Sequence, residues 1–395
     1  MNVLIVSRLY PRPKDPVLGI FVEEEARELA RLCDVKVVSP VPWFPPLKLF
    51  PKWYGYSQLP LNDTRKGVDI LRPRALALPR NILFPLLGFS FYLALRRWAD
   101  EIEHDFPIDL IHAHTAYPDG FAAVMLGKAL DKPTIITLHG GDVTLYFRHY
   151  FGRKLSLWAV SNADSVIAVS ERLRQTVVDE YGADEGKITI IPNGVDVTRF
   201  APIPQRDARN RLGLQGDSSR LLYVGAITRP KGIEYLLKGF KLLRGGRDRV
   251  ELTLVGQGDC QNEARLLAEE LGIAGSVTFA GQRPNEEIPL WMNACDLLIL
   301  PSLAEGFGVV LIEAMACGKP VIATGCGGPE DIVTPQTGIL VPPADEVALS
   351  QALSEALNNG TRFSPGVIRQ HAVDNYALHR ISARIVQLYG QVLQG

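Results

Sequence analysis

Short runs of aliphatic and β-branched residues, apolar at consecutive positions, recur along the chain between longer segments of helical period. This feature narrows the fold more than any other. Val3–Ser7, Val35–Ser39, Leu110–Ala113, Thr134–Leu138, Ser165–Val169 and Thr189–Ile191 form a first series of such runs. Leu221–Gly225, Glu251–Val255, Ser276–Ala280, Leu297–Leu300 and Val321–Ala323 form a second. A strand that is apolar at successive positions buries both faces, which a parallel sheet covered by helices provides. Strands alternating with helices predict doubly wound α/β architecture, and 395 residues are too many for one core. The expectation is therefore two Rossmann-like domains, 1–198 and 199–375, facing across a cleft. The Pro192-Asn193-Gly194 turn and the stiffening Pro202 and Pro204 mark the link. A last helix over about 376–395, apolar at Ile381, Ile385, Leu388 and Val392, packs back on the first domain. Ligands of such sheets bind beyond the carboxyl ends of the strands, so residues just after strands carry the functional information.

Bulk properties exclude several classes. Hydrophobic residues are 47% and charged residues 22%, a globular composition, and a net charge of −1 gives no nucleic-acid footprint. Cys33, Cys260, Cys295, Cys317 and Cys326 are odd in number and never spaced C-x-x-C, which argues against disulfides or structural zinc and fits a cytoplasmic protein. No signal-peptide pattern opens the chain, and the apolar run Ile82–Leu95 is too short and too broken by Pro85 and Gly88 to span a membrane.

The sharpest local signal runs from Pro301 to Glu313. A strand ends at Leu300, the turn Glu305-Gly306-Phe307-Gly308 follows, and a helix starts near Gly308 and stops at Gly318. Backbone N–H groups of Gly306, Phe307 and Gly308 at that helix start favour a phosphate, and the glycines let a ligand approach closely. Glu313, one turn in, leans back toward the same ligand and can accept hydroxyl hydrogen bonds as from a ribose. Glu305 before the helix needs a cation or sugar hydroxyls beside it. Arg229 and Lys231, after the strand Leu221–Gly225, can supply positive charge for two phosphates. Gly256-Gln257-Gly258 lacks the rest of a dinucleotide fingerprint, so NAD is not expected.

These residues resemble the retaining glycosyltransferases of family 4, which have the GT-B fold. The likeness lies in PS-x2-EGFG-x4-E-A-M-A-CG-x-PV-x-A from Pro301, in Ile191-Pro192-Asn193-Gly194-Val195-Asp196, and in Tyr223-Val224-Gly225 with Lys231-Gly232. It extends to Cys326-Gly327-Gly328-Pro329-Glu330 and to Thr137-Leu138-His139-Gly140-Gly141-Asp142, so it covers nearly the whole chain in order. It implies a UDP- or GDP-type nucleotide-diphosphate sugar as donor. Gly306, Phe307 and Gly308 would then meet its phosphate or sugar, Glu313 the ribose, Glu305 the sugar hydroxyls and Lys231 the diphosphate. Arg283 lies where backbone groups would receive the base. The family often has Arg directly after the strand glycine; this chain has Ala226, with Arg229 three residues on.

On the N-terminal side, the resemblance places His139 near the reacting centre and Gly19 in the glycine loop that approaches the donor phosphate or the acceptor. His114 and Asp142 are the candidates on the acceptor side, where a glycan or a polyprenyl or other lipid-linked carrier is expected. Between Trp43 and Trp98 nine Lys or Arg stand against two Asp, with eleven aromatics, a pattern that an anionic membrane surface attracts. The expected location is accordingly the cytoplasm, with peripheral binding to the inner face of the plasma membrane.

No D-x-D sequence occurs, so no metal and no other cofactor is expected; Lys231, Arg229 and the helix start at Gly308 would stabilise the leaving diphosphate. Two rivals stand beside transfer. One is a nucleotide-sugar 2-epimerase on the same fold; the other is a non-catalytic nucleotide-sugar-binding subunit of a glycosylating complex.

Overall fold

A computed structural model describes residues 1–13, 15–45, 51–78, 84–141, 143, 150–358 and 362–395. They form two compact units, Met1–Pro192 with His379–Gly395 and Asn193–Leu378.

The first unit contains β1 (Asn2–Val6), β2 (Asp34–Val38), β3 (Val41–Trp43), β4 (Asn62–Arg65), β5 (Val68–Leu71), β6 (Arg74–Leu76), β7 (Leu110–His114), β8 (Thr134–Leu138), β9 (Ser165–Ala168) and β10 (Ile188–Ile190). Eight of them make one sheet in the order β10-β9-β8-β7-β1-β2-β5-β4, parallel except for the β4–β5 pair, while β3 and β6 pair with each other. The second unit contains β11 (Ser219–Val224), β12 (Val250–Val255), β13 (Val277–Gly281), β14 (Leu297–Leu300), β15 (Val321–Thr324) and β16 (Gly338–Val341), in the order β13-β12-β11-β14-β15-β16. All its neighbouring strands are parallel. Strand order reverses between β1 and β7 in one unit and between β11 and β14 in the other, so each sheet has one switch point where adjacent connections diverge and open a crevice.

The apolar runs become the central strands because both their faces are covered: β1, β7, β8 and β14 are buried almost throughout. The strands that periodicity passed over lie at edges or are short. β4 is the polar sequence NDTR, β3 and β6 have three residues each, and β16 opens on Gly338, where a Cβ would stand 2.1 Å from the Val321 carbonyl oxygen.

The helix Leu378–Gln394 is amphipathic, and Ile381, Ile385, Leu388 and Tyr389 join the core of Val3, Ile5, Val22, Ala26 and Val37, with Val392 packed against it. The chain thus returns to its first unit after completing the second. Each aliphatic side chain buried this way contributes about 1.5–3 kcal/mol relative to exposure.

Candidate active site

In the second unit the carboxyl ends of β11, β14 and β15 feed three loops that interlock. After β11 the chain passes Gly225 and reaches the short turn Arg229–Lys231, then Gly232 with φ 66. A Cβ on Gly232 would lie 2.0 Å from the Pro301 carbonyl oxygen, so only glycine lets this turn lie against the loop after β14. The Leu303 N–H donates to the Pro230 carbonyl at 2.8 Å and ties the two loops together. The third loop crosses Glu305: the Gly328 N–H donates to its carbonyl at 2.9 Å. A Cβ on Gly328 would meet Phe307 Cα at 2.3 Å.

This framework sets Lys231 Nζ 2.5 Å from Glu305 Oε2, and the Ser302 hydroxyl donates to the same oxygen at 3.1 Å. The pair is partly solvated, with side chains 28% and 15% exposed. Beneath it, the Tyr223 hydroxyl donates to the Ala226 carbonyl at 2.7 Å, and burial together with the Glu305 charge holds it neutral. The result is one cation held against one carboxylate at the switch point, beside a helix (Val309–Ala316) that starts at Gly308 with φ 100. Uncapped N–H groups at such a start carry partial positive charge.

The other candidates fall as follows. Glu313 is half-buried in the second turn of that helix, and Gly306 and Gly308 flank Phe307, whose ring packs on Tyr376 at 5.9 Å. Arg229 is 84% exposed with its guanidinium 4.0 Å from Glu263, so it faces solvent rather than the Lys231–Glu305 pair. Arg283 lies over the Trp291 ring at 5.6 Å.

In the first unit His114 closes β7 and His139 follows β8, on the strand next to it in the sheet. The register of β7 puts His112 and His114 on one face, and His114 Nδ1 lies 3.0 Å from His139 Nε2. His112 is fixed at both nitrogens, 2.6 Å from the Tyr389 hydroxyl and 2.7 Å from Thr137 Oγ1. The other ring nitrogen of His114, Nε2, faces Glu25 Oε1 at 3.5 Å. Burial lowers the His112 imidazole to about 3 and His114 well below its ordinary range, and shifts His139 in the same direction. Burial also raises the Glu25 carboxyl to about 8. Glu25, His112 and His114 offer donor atoms within 4.8 Å of one another, compact enough for a metal ion. His112 is engaged at both nitrogens by Tyr389 and Thr137, so within the trio the two atoms that face each other are Glu25 Oε1 and His114 Nε2.

Gly19 precedes the helix Ile20–Leu29 with φ 61, and a Cβ there would lie 2.2 Å from the Leu9 carbonyl oxygen, so the helix entry alone already demands glycine. Asp142 lies outside the described residues. Sequence reasoning missed Glu25, although a carboxylate three residues after Val22 and four before Leu29 stands in the apolar stripe of its helix. It also missed Asp119, which accepts from the Arg8 N–H at 3.0 Å and from the Thr115 hydroxyl at 3.0 Å across the β1–β7 switch point.

Part of the basic segment between Trp43 and Trp98 is tied up by other groups of the chain. Arg72 is fully buried and donates to Asp63 at 2.8 Å and to the Pro11 carbonyl at 3.2 Å. Arg65 and Lys66 both pair with buried Glu23, and Arg74 donates to the Leu59 and Ser57 carbonyls. Four cations expected at a membrane surface are thus engaged by groups of the fold; Arg72 is buried, Arg65 and Arg74 are half-buried and Lys66 is exposed. Lys48 and Arg80 lie outside the described residues.

Comparison with known proteins agrees with this architecture. The model of Glycosyltransferase Family 4 matches residues 18–199, and that of Glycosyl transferases group 1 matches residues 204–379. TuaC of Bacillus subtilis, a glycosyltransferase ascribed to teichuronic acid biosynthesis, is 31% identical over 360 residues, 90% of this chain and 88% of its own. A GDP-mannose-dependent alpha-(1-6)-phosphatidylinositol monomannoside mannosyltransferase of Mycolicibacterium smegmatis is 28% identical over 98% of this chain and 97% of its own. Among solved structures, sucrose-phosphate synthase of Thermosynechococcus elongatus superposes with a TM-score of 0.83 at 25% identity over 100% of both chains. HepE of Anabaena, solved with UDP-glucose, superposes with a TM-score of 0.75 at 20% identity over 99% of this chain and 100% of its own. Matched along nearly its whole length, the chain belongs to the family 4 glycosyltransferases of GT-B fold and is a glycosyltransferase enzyme.

Proposed function

We propose that the chain moves a hexosyl group from a nucleotide-diphosphate sugar to a glycan or lipid-linked acceptor, with retention at the anomeric carbon and without a metal. The observation that carries this reading is the Lys231–Glu305 pair, held at 2.5 Å at the switch point of the second unit. A diphosphate gains negative charge as it leaves, and a fixed ammonium aimed at it lowers the barrier without reorganising solvent. Glu305, already bound to that ammonium, is available to the hydroxyls of the sugar, and Glu313 to the ribose. On the first unit, the family resemblance gives His139 the role of contacting the donor sugar near the reacting carbon. The UDP-glucose bound by HepE and the GDP-mannose dependence of the mycobacterial relative support the donor class. Transfer on the front face is preferred over a covalent glycosyl-enzyme.

An acceptor on a lipid carrier would bring the protein to a membrane. Among the described residues no helix is long and apolar enough to cross one. The exposed Leu86, Phe89 and Leu93 form an outer face at helical spacing on Leu87–Asp105, with exposed Arg97 one turn on. Tyr150 and Phe151, also exposed, open the helix that packs on the turn Phe84–Leu86. Interfacial insertion of these apolar groups at the inner face of the plasma membrane adds to the charge-driven contact expected of the same segment.

A thermal-shift panel of UDP, GDP and ADP with their sugars identifies the donor, since a ligand at a hundred times its Kd adds about 2.7 kcal/mol. Nucleotide release from that donor is then followed with and without EDTA. Stabilisation by a nucleotide sugar and turnover in EDTA are expected. Activity lost on chelation and restored by Mn²⁺ or Mg²⁺ would overturn the metal-free reading, and silence toward every nucleotide would overturn the donor assignment.

A further inference from the structure

Glu25 is buried on the inner face of its helix, 6% exposed, and one of its oxygens faces His114 Nε2 across 3.5 Å. Neither of these two atoms has another hydrogen-bond partner among the described residues. Two buried polar atoms left unsatisfied would each cost about 1–3 kcal/mol, whereas a closure of a few tenths of an ångström satisfies both. His114 passes the contact on, because its Nδ1 lies 3.0 Å from His139 Nε2 and the two rings are nearly parallel. Phe21, from the helix that carries Glu25, packs on the His139 ring at 4.7 Å and fixes its orientation. The line Glu25–His114–His139 therefore has a defined direction at each link.

We propose that Glu25 and His114 are positioning residues that fix which nitrogen of His139 carries the proton, so that His139 presents an N–H from Nδ1 as long as Glu25 is a neutral acid. The role of that N–H rests on the reading of His139 as the residue nearest the donor sugar. The logic is that of donors and acceptors. A carboxylic acid donates its O–H to His114 Nε2, which leaves the His114 proton on Nδ1. That proton is donated to His139 Nε2, which leaves the His139 proton on Nδ1. If Nδ1 of His139 gives its proton away, the carboxyl proton moves to His114 Nε2 and the His114 proton moves from Nδ1 to His139 Nε2. One proton has then left the line, both imidazoles remain neutral, and Glu25 holds the charge.

Among the described residues, the groups around this line include His112 on β7, Tyr389 on the last helix, and Cys33 beside it. The histidines are held neutral by burial, and Tyr389 is held protonated by burial and by Glu25. Glu25, raised to about 8, is then the group that titrates in the working range. His139 is a donor at Nδ1 below that pH and bare there above it.

The test is long-range ¹H–¹⁵N correlation on the full chain labelled at histidine, from pH 6 to 9, with initial rates measured in parallel. In the native chain His114 and His139 should carry their protons on Nδ1 at low pH and exchange them to Nε2 through a transition near 8. Glu25→Gln, whose amide still donates to His114, should hold both rings in the Nδ1 form across the range and lose the decline in rate above the transition. Glu25→Leu should give mixed tautomers, and Glu25→Gln keeps the test open if that variant does not fold. A His139 proton on Nε2 at low pH, or the same pH course in Glu25→Gln as in the native chain, would overturn the proposal. If the tautomers behave as described but no nucleotide sugar is turned over, the relay stands and the functional reading fails; turnover with tautomers indifferent to Glu25 fails the relay alone.

Discussion

Replacing Lys231 with alanine removes the cation that the fold holds against Glu305 at 2.5 Å, and its cost can be worked from the surroundings. An ammonium about 4 Å from a phosphate oxygen interacts by roughly 4 kcal/mol at an effective dielectric of about 20. The Lys231 side chain is 28% exposed, so solvent screens part of this and about 2–3 kcal/mol remains for the leaving group. At 1.36 kcal/mol per decade the expected loss in kcat is roughly 10²-fold, with KM for the donor changed less because the charge grows during bond breaking. The substitution also strands the Glu305 carboxylate, 15% exposed, with the Ser302 hydroxyl left as its donor. Lys231→Ala should therefore melt earlier than the native protein, while Lys231→Ala with Glu305→Gln should recover stability without recovering rate. Steady-state nucleotide release and thermal unfolding on the three proteins separate the effects. A kcat within about threefold of native in Lys231→Ala would refute the reasoning, and would move the phosphate charge to Arg229 or to the backbone at Gly308.

Glu313→Ala should weaken donor binding by roughly 10- to 100-fold, the worth of hydrogen bonds to a charged group, with kcat little changed; displacement of a fluorescent nucleotide checks this. Leu86, Phe89 and Leu93 changed together to Ser should abolish co-sedimentation with phosphatidylglycerol vesicles, since three partly inserted side chains at about 1 kcal/mol each are worth about 10²-fold; recovery equal to the native chain would leave that face as plain surface. Glu25 gives a pH dependence of stability whose sign is fixed. Its carboxyl is raised to about 8 in the fold, so the unfolded chain releases the proton first and stability falls as pH rises from the ordinary carboxyl range toward 8. The slope contributed is about 1.4 kcal/mol per pH unit, which denaturant titration at several pH values measures, and Glu25→Gln should remove it.

A deep core is legible in a single chain because burial on both faces writes an unbroken apolar run, and β1, β7, β8 and β14 were recovered from such runs within a residue or so. The turn at Gly308, where the backbone has φ 100, was legible because positive φ and close backbone approach restrict residue type locally. β3 to β6 and β16 were not, since edge and short strands are decided by which neighbour offers a free row of backbone groups.

The meaning of charge was decided by the tertiary structure alone. The Arg and Lys of the segment from Trp43 to Trp98 look like a membrane footprint in one dimension. In the fold Arg65 and Lys66 close on buried Glu23, and buried Arg72 closes on Asp63, because a buried charge requires a partner wherever the sequence places it. Glu25 is the converse case. Its neighbours in sequence give no sign of His114 and His139, which lie about ninety residues or more away and reach it only because β1, the strand beside its helix, borders β7 at the point where strand order reverses. Sequence sets which side chains are present and which short segments turn or extend. The pairing of distant polar groups depends on long-range strand order, which no local pattern records.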